Sequence, residues 1–558
     1  MTVVLVAIAV PLRGLLRYQG PPMEEGFMLV FAERVLAGDV ANEDFLHLYG
    51  PGSLWVLAGV FKVFGPSLPA ERLVGLAQQL GIVFGLFALA LPWGRRVAAA
   101  CALIALVIIV PPIGLAALAW NGAVALGLAG MAVGLRGHVV SRTCRGCRCD
   151  TTTTTTGSIG VAPTAGRWHF LVAGVLGGLA LLYRPDLILA VGLAGTVLAW
   201  SQGRERGGRI AAGLGIGVAP YLVHGAMAGV GNSIEGMLLD PVFELRGGRS
   251  LPVPPSWGEL DGFLQRAGVL RAPEWPLPAP TTSNQIFLWF VLVLVAAPLI
   301  VAAGVLARRR DPASHRGRVL LVVGAFAVGL LPQALQRPDT THFAWVSCVS
   351  LGFLPVALLE LGAGPLRRLR PSGRGMITGG IVALLLVVAI PHFTFRAYAD
   401  LSQQSLGRNV FGVPMQRNGR TFYYGSQDAA VAGQALIDDL DRLLQPGQRL
   451  LVGPLDLRKT PYSDAFYSFL FPELTPATRY IEMDPGVANR ADSGLDGDVA
   501  SADWLILSDT WSDWDEPNDS RRFGSDLPNR VVARSFCLVS SYDTFFFLYR
   551  RCRASGGG

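Results

Sequence analysis

The chain has 558 residues, 51% of them hydrophobic and 16% charged, with a mean hydropathy of +0.43. That balance excludes a string of ordinary soluble domains and points to a polytopic α-helical membrane protein. The formal charge of +7 is no nucleic-acid footprint, because the basic residues sit in turns between apolar runs.

The first apolar run, 2–12, would rise only about 16 Å as a helix, against a hydrocarbon core of about 30 Å. Neither a basic leader region nor a small-residue cleavage site precedes "RGLLRYQGPPMEEGF". The run therefore reads as a shortened first transmembrane helix and not as a secretory signal. Further apolar stretches lie at 70–92, 97–112, 113–135, 169–183, 185–200, 208–229, 286–307, 318–335, 343–362 and 376–393. With the stub they predict about eleven transmembrane helices. Five Arg-rich clusters, at 95–96, 136–148, 204–209, 308–318 and 367–374, then fall on one side of the membrane. By the positive-inside rule that side is the cytoplasm, which predicts a multi-pass protein of the cell membrane.

The same count places a set of polar residues on the opposite, extracytoplasmic side: Glu24 and Glu25, Glu43 and Asp44, Arg184 and Asp186, and Arg337, Asp339 and His342. The outside loop 14–69 opens with "MEEGFMLVFAERVLAGD", whose apolar spacing predicts an amphipathic helix lying on the bilayer. "NEDFLHLYGPGSLW" follows, with a Gly-Pro turn; a structural role is the default for Glu43, His47 and Tyr49. A second outside loop, 230–285, is rich in Pro and Gly and carries Trp257 and Trp275, which fit the interface. "YRPDLIL" and "QRPDTTHF" each place Arg-Pro-Asp at the end of an apolar run. The rigid Pro forces an extended backbone on the Arg, so each corner presents a cation with a carboxylate to hold it.

From about 395 the composition becomes that of a soluble α/β domain. "DAAVAGQALIDDLDRLL" predicts an amphipathic helix, "SDAFYSFLF" another, and "RLLVGP", "RYIEM", "DWLILS", "RVVARSFCLVS" and "TFFFLYRR" strands. The domains expected are thus a membrane part, 1–394, and an extracytoplasmic part, 395–558. Neither GxGxxG nor a P-loop occurs, which removes support for nucleotide binding. Cys144, Cys147 and Cys149, near His138 and beside a Thr run, lack a second ligand pair and read as a low-complexity cytoplasmic loop. Cys537 and Cys552 lie on or beside two strands that can pair, so a disulfide is plausible, though spacing alone does not settle it.

One-sided acids and Arg-Pro-Asp corners fit sugar transfer from a lipid phosphate at a membrane surface. The acceptor hydroxyl needs a carboxylate base, for which Glu24 and Glu25 are candidates, with Asp44 as a further acid. The departing phosphate needs positive charge. Arg184, Arg337 and His342 offer it, with Asp186 and Asp339 to orient the guanidiniums; a divalent cation is an alternative, and no metal ligand is identified. A transporter or flippase of lipid-linked sugar is the rival reading, but it predicts internal repeats and midplane charges that the sequence does not display. A scaffold displaying the outer domain is a third.

At "MEEGF" and "NEDFLHLYGPG" the chain resembles the GT-C superfamily of integral membrane glycosyltransferases, which includes protein O-mannosyltransferases, aminoarabinose transferases and actinobacterial arabinofuranosyltransferases. Those proteins carry an acidic pair after the first transmembrane helix, on a long outside loop. The resemblance covers roughly the first 395 residues. It implies a polyprenyl-phosphate sugar donor, a glycan, lipid or protein acceptor, inversion at the anomeric carbon and catalysis on the outer face. The outer domain resembles appended C-terminal domains whose usual suggested role is acceptor or glycan binding. Two departures are the short first helix and a Glu-Glu pair in place of an Asp-containing one, which leaves open which Glu is the base.

Overall fold

The computed structural model describes residues 2–17, 20, 22–146, 165–201, 203–254, 281–363, 370–408, 410, 412–512 and 516–552. Trp257, Trp275, Cys147, Cys149, the Thr run and the side chains of His138 and Cys144 lie outside the described residues.

The helices follow from apolar runs punctuated by caps and Pro. The first, Thr2–Arg17, continues beyond the stub to 16 residues. Leu68–Ala90 begins at Ser67, whose hydroxyl accepts from the Ala70 amide at 3.3 Å. His315–Gln336 begins at Ser314 in the same way, and Thr340–Leu361 at Asp339. By length and hydropathy five described helices are able to cross a membrane: Leu68–Trp93, Arg204–Ala228, Asn284–Arg310, His315–Gln336 and Thr340–Leu361. A sixth is counted if Gly373–Ala389 and Thr394–Ser405, bent by 90°, form one span. This is fewer than the expected eleven, because corners cut several apolar runs short. Trp168–Tyr183 and Pro185–Trp200 end on either side of Arg184, each about 24 Å long at 1.5 Å per residue.

Within the bundle, Ala165–Tyr183 and Arg204–Val218 meet through glycines four apart, Gly174 and Gly178 against Gly213 and Gly217. A Cβ added to Gly178 would meet the Gly217 Cα at 2.7 Å. The two backbones approach as closely as small-xxx-small pairs allow, which is how helices associate where lipid supplies no hydrophobic drive.

The outer loop corrects one expectation. The helix Pro22–Ala37 is present, but Met23–Ala32 are buried on every side, so it does not lie on the bilayer with one polar face. It is a wedge between the membrane helices and the C-terminal domain. Gly26 packs on Phe466, and Glu33 pairs with Arg420 at 2.7 Å.

The C-terminal domain opens with a hairpin, β1 (Val413–Arg417) and β2 (Arg420–Tyr424), turned at Asn418 and Gly419, both at positive φ. A five-stranded sheet follows: β3 (Arg449–Pro454), β4 (Thr475–Pro476), β5 (Trp504–Ser508), β6 (Phe536–Tyr542) and β7 (Phe546–Arg551), in the order β4-β3-β5-β7-β6. β4, β3 and β5 run parallel, and β7 and β6 antiparallel to their neighbours. The predicted helices appear as Gln427–Leu443 and Phe466–Leu470. Two predicted strands do not form as expected. "RYIEM" is a loop, because it packs on the outer loop of the membrane part and not in the ladder. The first half of "RVVARSFCLVS" is the helix Leu527–Ser535, and the strand starts at Phe536. Cys537 and Cys552 form a disulfide. The helix His392–Ser405 joins the two parts while resting on the first helix, its Tyr398 hydroxyl donating to the Ala7 carbonyl at 2.6 Å.

Replacing Gly178 by Leu is expected to force the two glycine-paired helices apart and to destabilise the chain by at least about 2 kcal/mol, measured as a lowered thermal midpoint in detergent. Gly192→Leu, with open space where its Cβ would be, should leave the midpoint within about 1 °C of wild type.

Candidate functional site

Both Arg-Pro-Asp corners adopt the backbone that the following Pro imposes. Arg184 has φ −140° and ψ 94°, Arg337 φ −139° and ψ 86°. At the first, Arg184 donates from Nε and Nη2 to Asp186 at 2.8 and 2.6 Å. The guanidinium lies over Tyr49 at 4.1 Å and Trp120 at 5.3 Å. Nη1 has no hydrogen-bond partner among the described residues. Asp186 also accepts from Gln333 Nε2 at 2.5 Å, which ties this corner to the helix leading into the second.

At the second corner, Arg337 Nε meets Asp339 at 2.7 Å, and Nη1 donates to Glu516 at 2.9 Å and to the Arg249 carbonyl at 2.7 Å. Nη2 pairs with the other Glu516 oxygen. The guanidinium is thus wrapped by a carboxylate from each domain. Asp339 also caps the following helix and receives His342 Nδ1 at 2.9 Å. Burial alone would raise the Asp339 carboxyl, but His342 and Arg337 together hold it below the usual range. A carboxylate only accepts, so Nδ1 carries the hydrogen and Nε2 is left to face elsewhere.

Aromatic rings join the corners. The His342 ring meets Trp345 edge-on at 4.8 Å, Trp345 stacks on Trp120 at 5.6 Å, and Trp120 underlies Arg184. The indole nitrogens of Trp120 and Trp345 and both side-chain polar atoms of Asn121 are buried without a hydrogen-bond partner among the described residues. Polar groups left so are expensive in a packed interior and are what a ligand's hydroxyls would satisfy.

The two glutamates are separated by the helix that carries them. Glu25 is clamped by Arg72, Nε to Oε1 at 2.7 Å and Nη2 to Oε2 at 2.9 Å, with side chains 2% and 0% exposed. Glu24 is also buried, but it lies seven residues before Phe31 and so shares its helix face. Phe31 meets His47 at 5.1 Å, His47 meets Tyr49 at 5.6 Å, and Tyr49 carries Arg184. Burial, then the charges of His224 and Arg184, push the His47 imidazole down to about 3, so it is a neutral packing group. Asp44 is exposed and accepts from the Val40 amide at 2.7 Å, closing a turn; Glu43 beside it is exposed too. Neither is brought to the Arg184 cluster.

Sequence reasoning missed Arg72, Trp120, Trp345, Arg249, Glu482, Asp484 and Glu516. Arg72 had a signal, since a charged pair, Glu71-Arg72, inside an apolar span is unusual. The acids of the outer domain had none, being scattered in an acid-rich loop region. Among the described residues no three His, Cys, Asp or Glu converge as a metal site would require.

No family model matches the sequence, and no curated protein does. The fold is similar to ArnT from Cupriavidus metallidurans bound to undecaprenyl phosphate, with a TM-score of 0.53 and 14% identity over 100% of this chain and 98% of that one. Archaeal oligosaccharyltransferase AglB from Archaeoglobus fulgidus, in complex with an inhibitory peptide and a dolichol-phosphate, aligns at a TM-score of 0.47 and 10% identity, over 97% of this chain and 73% of that one. The likeness to ArnT is one of fold, and it bears out the expected architecture of a mostly helical membrane part followed by a C-terminal sheet domain.

Removing one partner of the Glu25–Arg72 pair leaves the other charge buried. Glu25→Gln is expected to cost about 3–5 kcal/mol of stability, read as a lowered thermal midpoint. Glu24→Gln should lower that midpoint by less than Glu25→Gln does, since the buried guanidinium clamp on Glu25 is not broken.

Proposed function

We propose that this chain is a membrane glycosyltransferase that moves a sugar from a polyprenyl-phosphate donor to an acceptor hydroxyl on the extracytoplasmic face of the cell membrane, with inversion. The observation that carries the reading is Arg184. It is fixed by Asp186, held against Tyr49 and Trp120, and keeps one guanidinium edge unpartnered at a corner between membrane helices. That the similarly folded ArnT was captured with undecaprenyl phosphate supports a lipid phosphate as the ligand. The five Arg clusters of the opposite side support the outer face. Residues 1–394 form the membrane part in this reading and 395–558 the outer part, with the helix His392–Ser405 as the connection.

The donor phosphate sits against Arg184 Nη1 and, when the ring carries both protons, the His342 Nε2–H, with the sugar over the Trp120 and Trp345 rings and within reach of Asn121. Arg337 positions rather than binds, since its donors are directed to Asp339, Glu516 and the Arg249 carbonyl. Glu24 is the base. Its carboxylate takes the proton of the acceptor hydroxyl as that oxygen bonds to the anomeric carbon, and the bond to the phosphate oxygen breaks with its electron pair. Arg184 and His342 stabilise the charge that arrives on the phosphate. Glu25, bound to Arg72, holds the helix that presents Glu24. The sugar and acceptor are set by groups that the reaction class does not fix; a cell-wall glycan, a lipid or a protein all present the required hydroxyl.

The test is transfer from a panel of radiolabelled polyprenyl-phosphate sugars to a cell-wall extract by the purified protein. Glu24→Gln is expected to lose about 10²- to 10⁴-fold in kcat while the variant remains folded at the assay temperature. Arg184→Lys should raise the donor KM at least about tenfold, because an ammonium cannot hold Asp186 and a phosphate in one plane. Movement of labelled lipid-sugar between leaflets without transfer would replace this reading with a flippase.

A further inference from the structure

The loop 479–484 of the C-terminal domain is drawn into the membrane site. The Leu46 amide donates to the Arg479 carbonyl at 2.9 Å, which lays this loop along the first outer loop. Leu46 and Leu48 share an apolar cluster with Tyr480 and Met483. From the other side, the Ser463 hydroxyl holds the Ile481 carbonyl at 2.6 Å. Met483 has a φ of +57°, a left-handed backbone that a long side chain seldom adopts. Such conformations persist where the surroundings enforce them, commonly at sites of function.

That kink separates two acids with different fates. Asp484 is ion-paired to Arg249, whose Nη1 also donates to the Tyr462 hydroxyl at 3.1 Å. Glu482 has no hydrogen-bond partner among the described residues, yet its carboxyl lies within electrostatic reach of Arg249, Arg184 and Tyr49. Its side chain is half-buried, so part of it remains accessible within densely packed surroundings. An acid without a hydrogen bond, placed beside two arginines and the ring that supports one of them, has no structural duty that the pairs around it leave unfilled.

We infer that Glu482, carried by the outer domain, is the acid that protonates the lipid phosphate as it departs, a role that rests on the transferase reading above. The donor is a phosphodiester with one negative charge; cleavage of its bond to the anomeric carbon delivers an electron pair and a second charge to the phosphate. Glu24 takes up the acceptor's proton at one end. At the other, Glu482 gives its proton to a phosphate oxygen, so that the lipid phosphate leaves as a monoanion. The new Glu482 carboxylate is then stabilised by Arg249 and Arg184, and solvent returns one proton and removes the other. Glu482 acts on charge that exists only after the bond begins to break, which is where stabilisation raises kcat.

The protonation state agrees. Burial raises the Glu482 carboxyl to about 7, although Arg249 and Arg184 pull the other way. The titratable and charged groups that act on it are Tyr49 on the first outer loop, Arg184 at the corner and Arg249 on the short helix Leu245–Arg249; Asp186 pairs with Arg184, and Asp484 and Tyr462 with Arg249. The active form is the protonated one, so activity is complete below this value and falls as pH rises through it.

The experiment is the pH dependence of kcat, from pH 6 to 9, for the full-length wild type, Glu482→Gln and Glu482→Asp with the donor panel. Wild type is expected to lose kcat about tenfold per unit above pH 7. Glu482→Gln should drop about 10- to 100-fold at pH 6.5, with donor KM within threefold and the alkaline limb gone; Glu482→Asp should restore part of the rate and the limb. A wild-type profile flat across this range overturns the assignment without any variant. So does Glu482→Gln that keeps wild-type rates, or one that loses rate equally at every pH with the limb intact, as a merely structural residue would. If wild type transfers no sugar from any donor, the transferase reading itself falls, and Glu482 with it.

Discussion

The structure depends on a seam of buried guanidiniums between membrane helices and outer domain. Arg184, Arg249 and Arg337 are all removed from bulk water to some degree, and each is met by a carboxylate: Asp186, Asp484, and the pair Asp339 and Glu516. Taking such charges out of water is costly unless geometry and extra hydrogen bonds repay it. Here they do so only if both halves of the chain are in register. Two of the three arginines find an acid on the opposite half, so the seam sets the position of the outer domain more sharply than apolar contact, which is indifferent to small slides, would.

The wedge helix works within that constraint. Because it is buried around its circumference from Met23 to Ala32, it depends on cover from both the bundle and the sheet domain. Its two glutamates point to different neighbours a quarter-turn or so apart. One is neutralised by Arg72 and becomes part of the scaffold. The other is left on the face that leads through Phe31, His47 and Tyr49 to the first Arg-Pro corner. A tandem acid in a loop would offer two equivalent carboxylates; on a buried helix the two are given different surroundings.

Much of this was legible. The Arg-Pro-Asp corners, the apolar runs, the outer helix and the α/β character of the last third follow from local chemistry: a Pro restricts the residue before it, and apolar spacing declares a helix. Asn418-Gly419 announced the β1–β2 hairpin as strongly as any dipeptide does, and was passed over because the flanking "VPMQR" alternates weakly. "RYIEM" has the residues of a strand, but its backbone is claimed by the outer loop through Leu46, a partner more than 400 positions away in sequence. The same distance hides Glu516 and Glu482, since nothing local distinguishes an acid that will face an arginine across a domain boundary from one that faces water. Hydropathy likewise adds up apolar length and does not see where a corner, such as that at Arg184, ends one helix and begins the next.

The pairing of Arg337 with Glu516 also orders the making of the protein. The partners are 179 residues apart, and at about 5–20 residues per second the ribosome delivers the second some ten to forty seconds after the first. Throughout that interval Arg337 is already beside the membrane with Asp339 as its nearby counter-charge. The outer helix is likewise without its cover, for Phe466 also comes late. The seam is therefore completed last, when the region around Glu516 has folded and docked. A nascent chain interrupted before that point carries the helices of the membrane part and no finished seam, which gives quality-control proteases an uncovered helix to recognise.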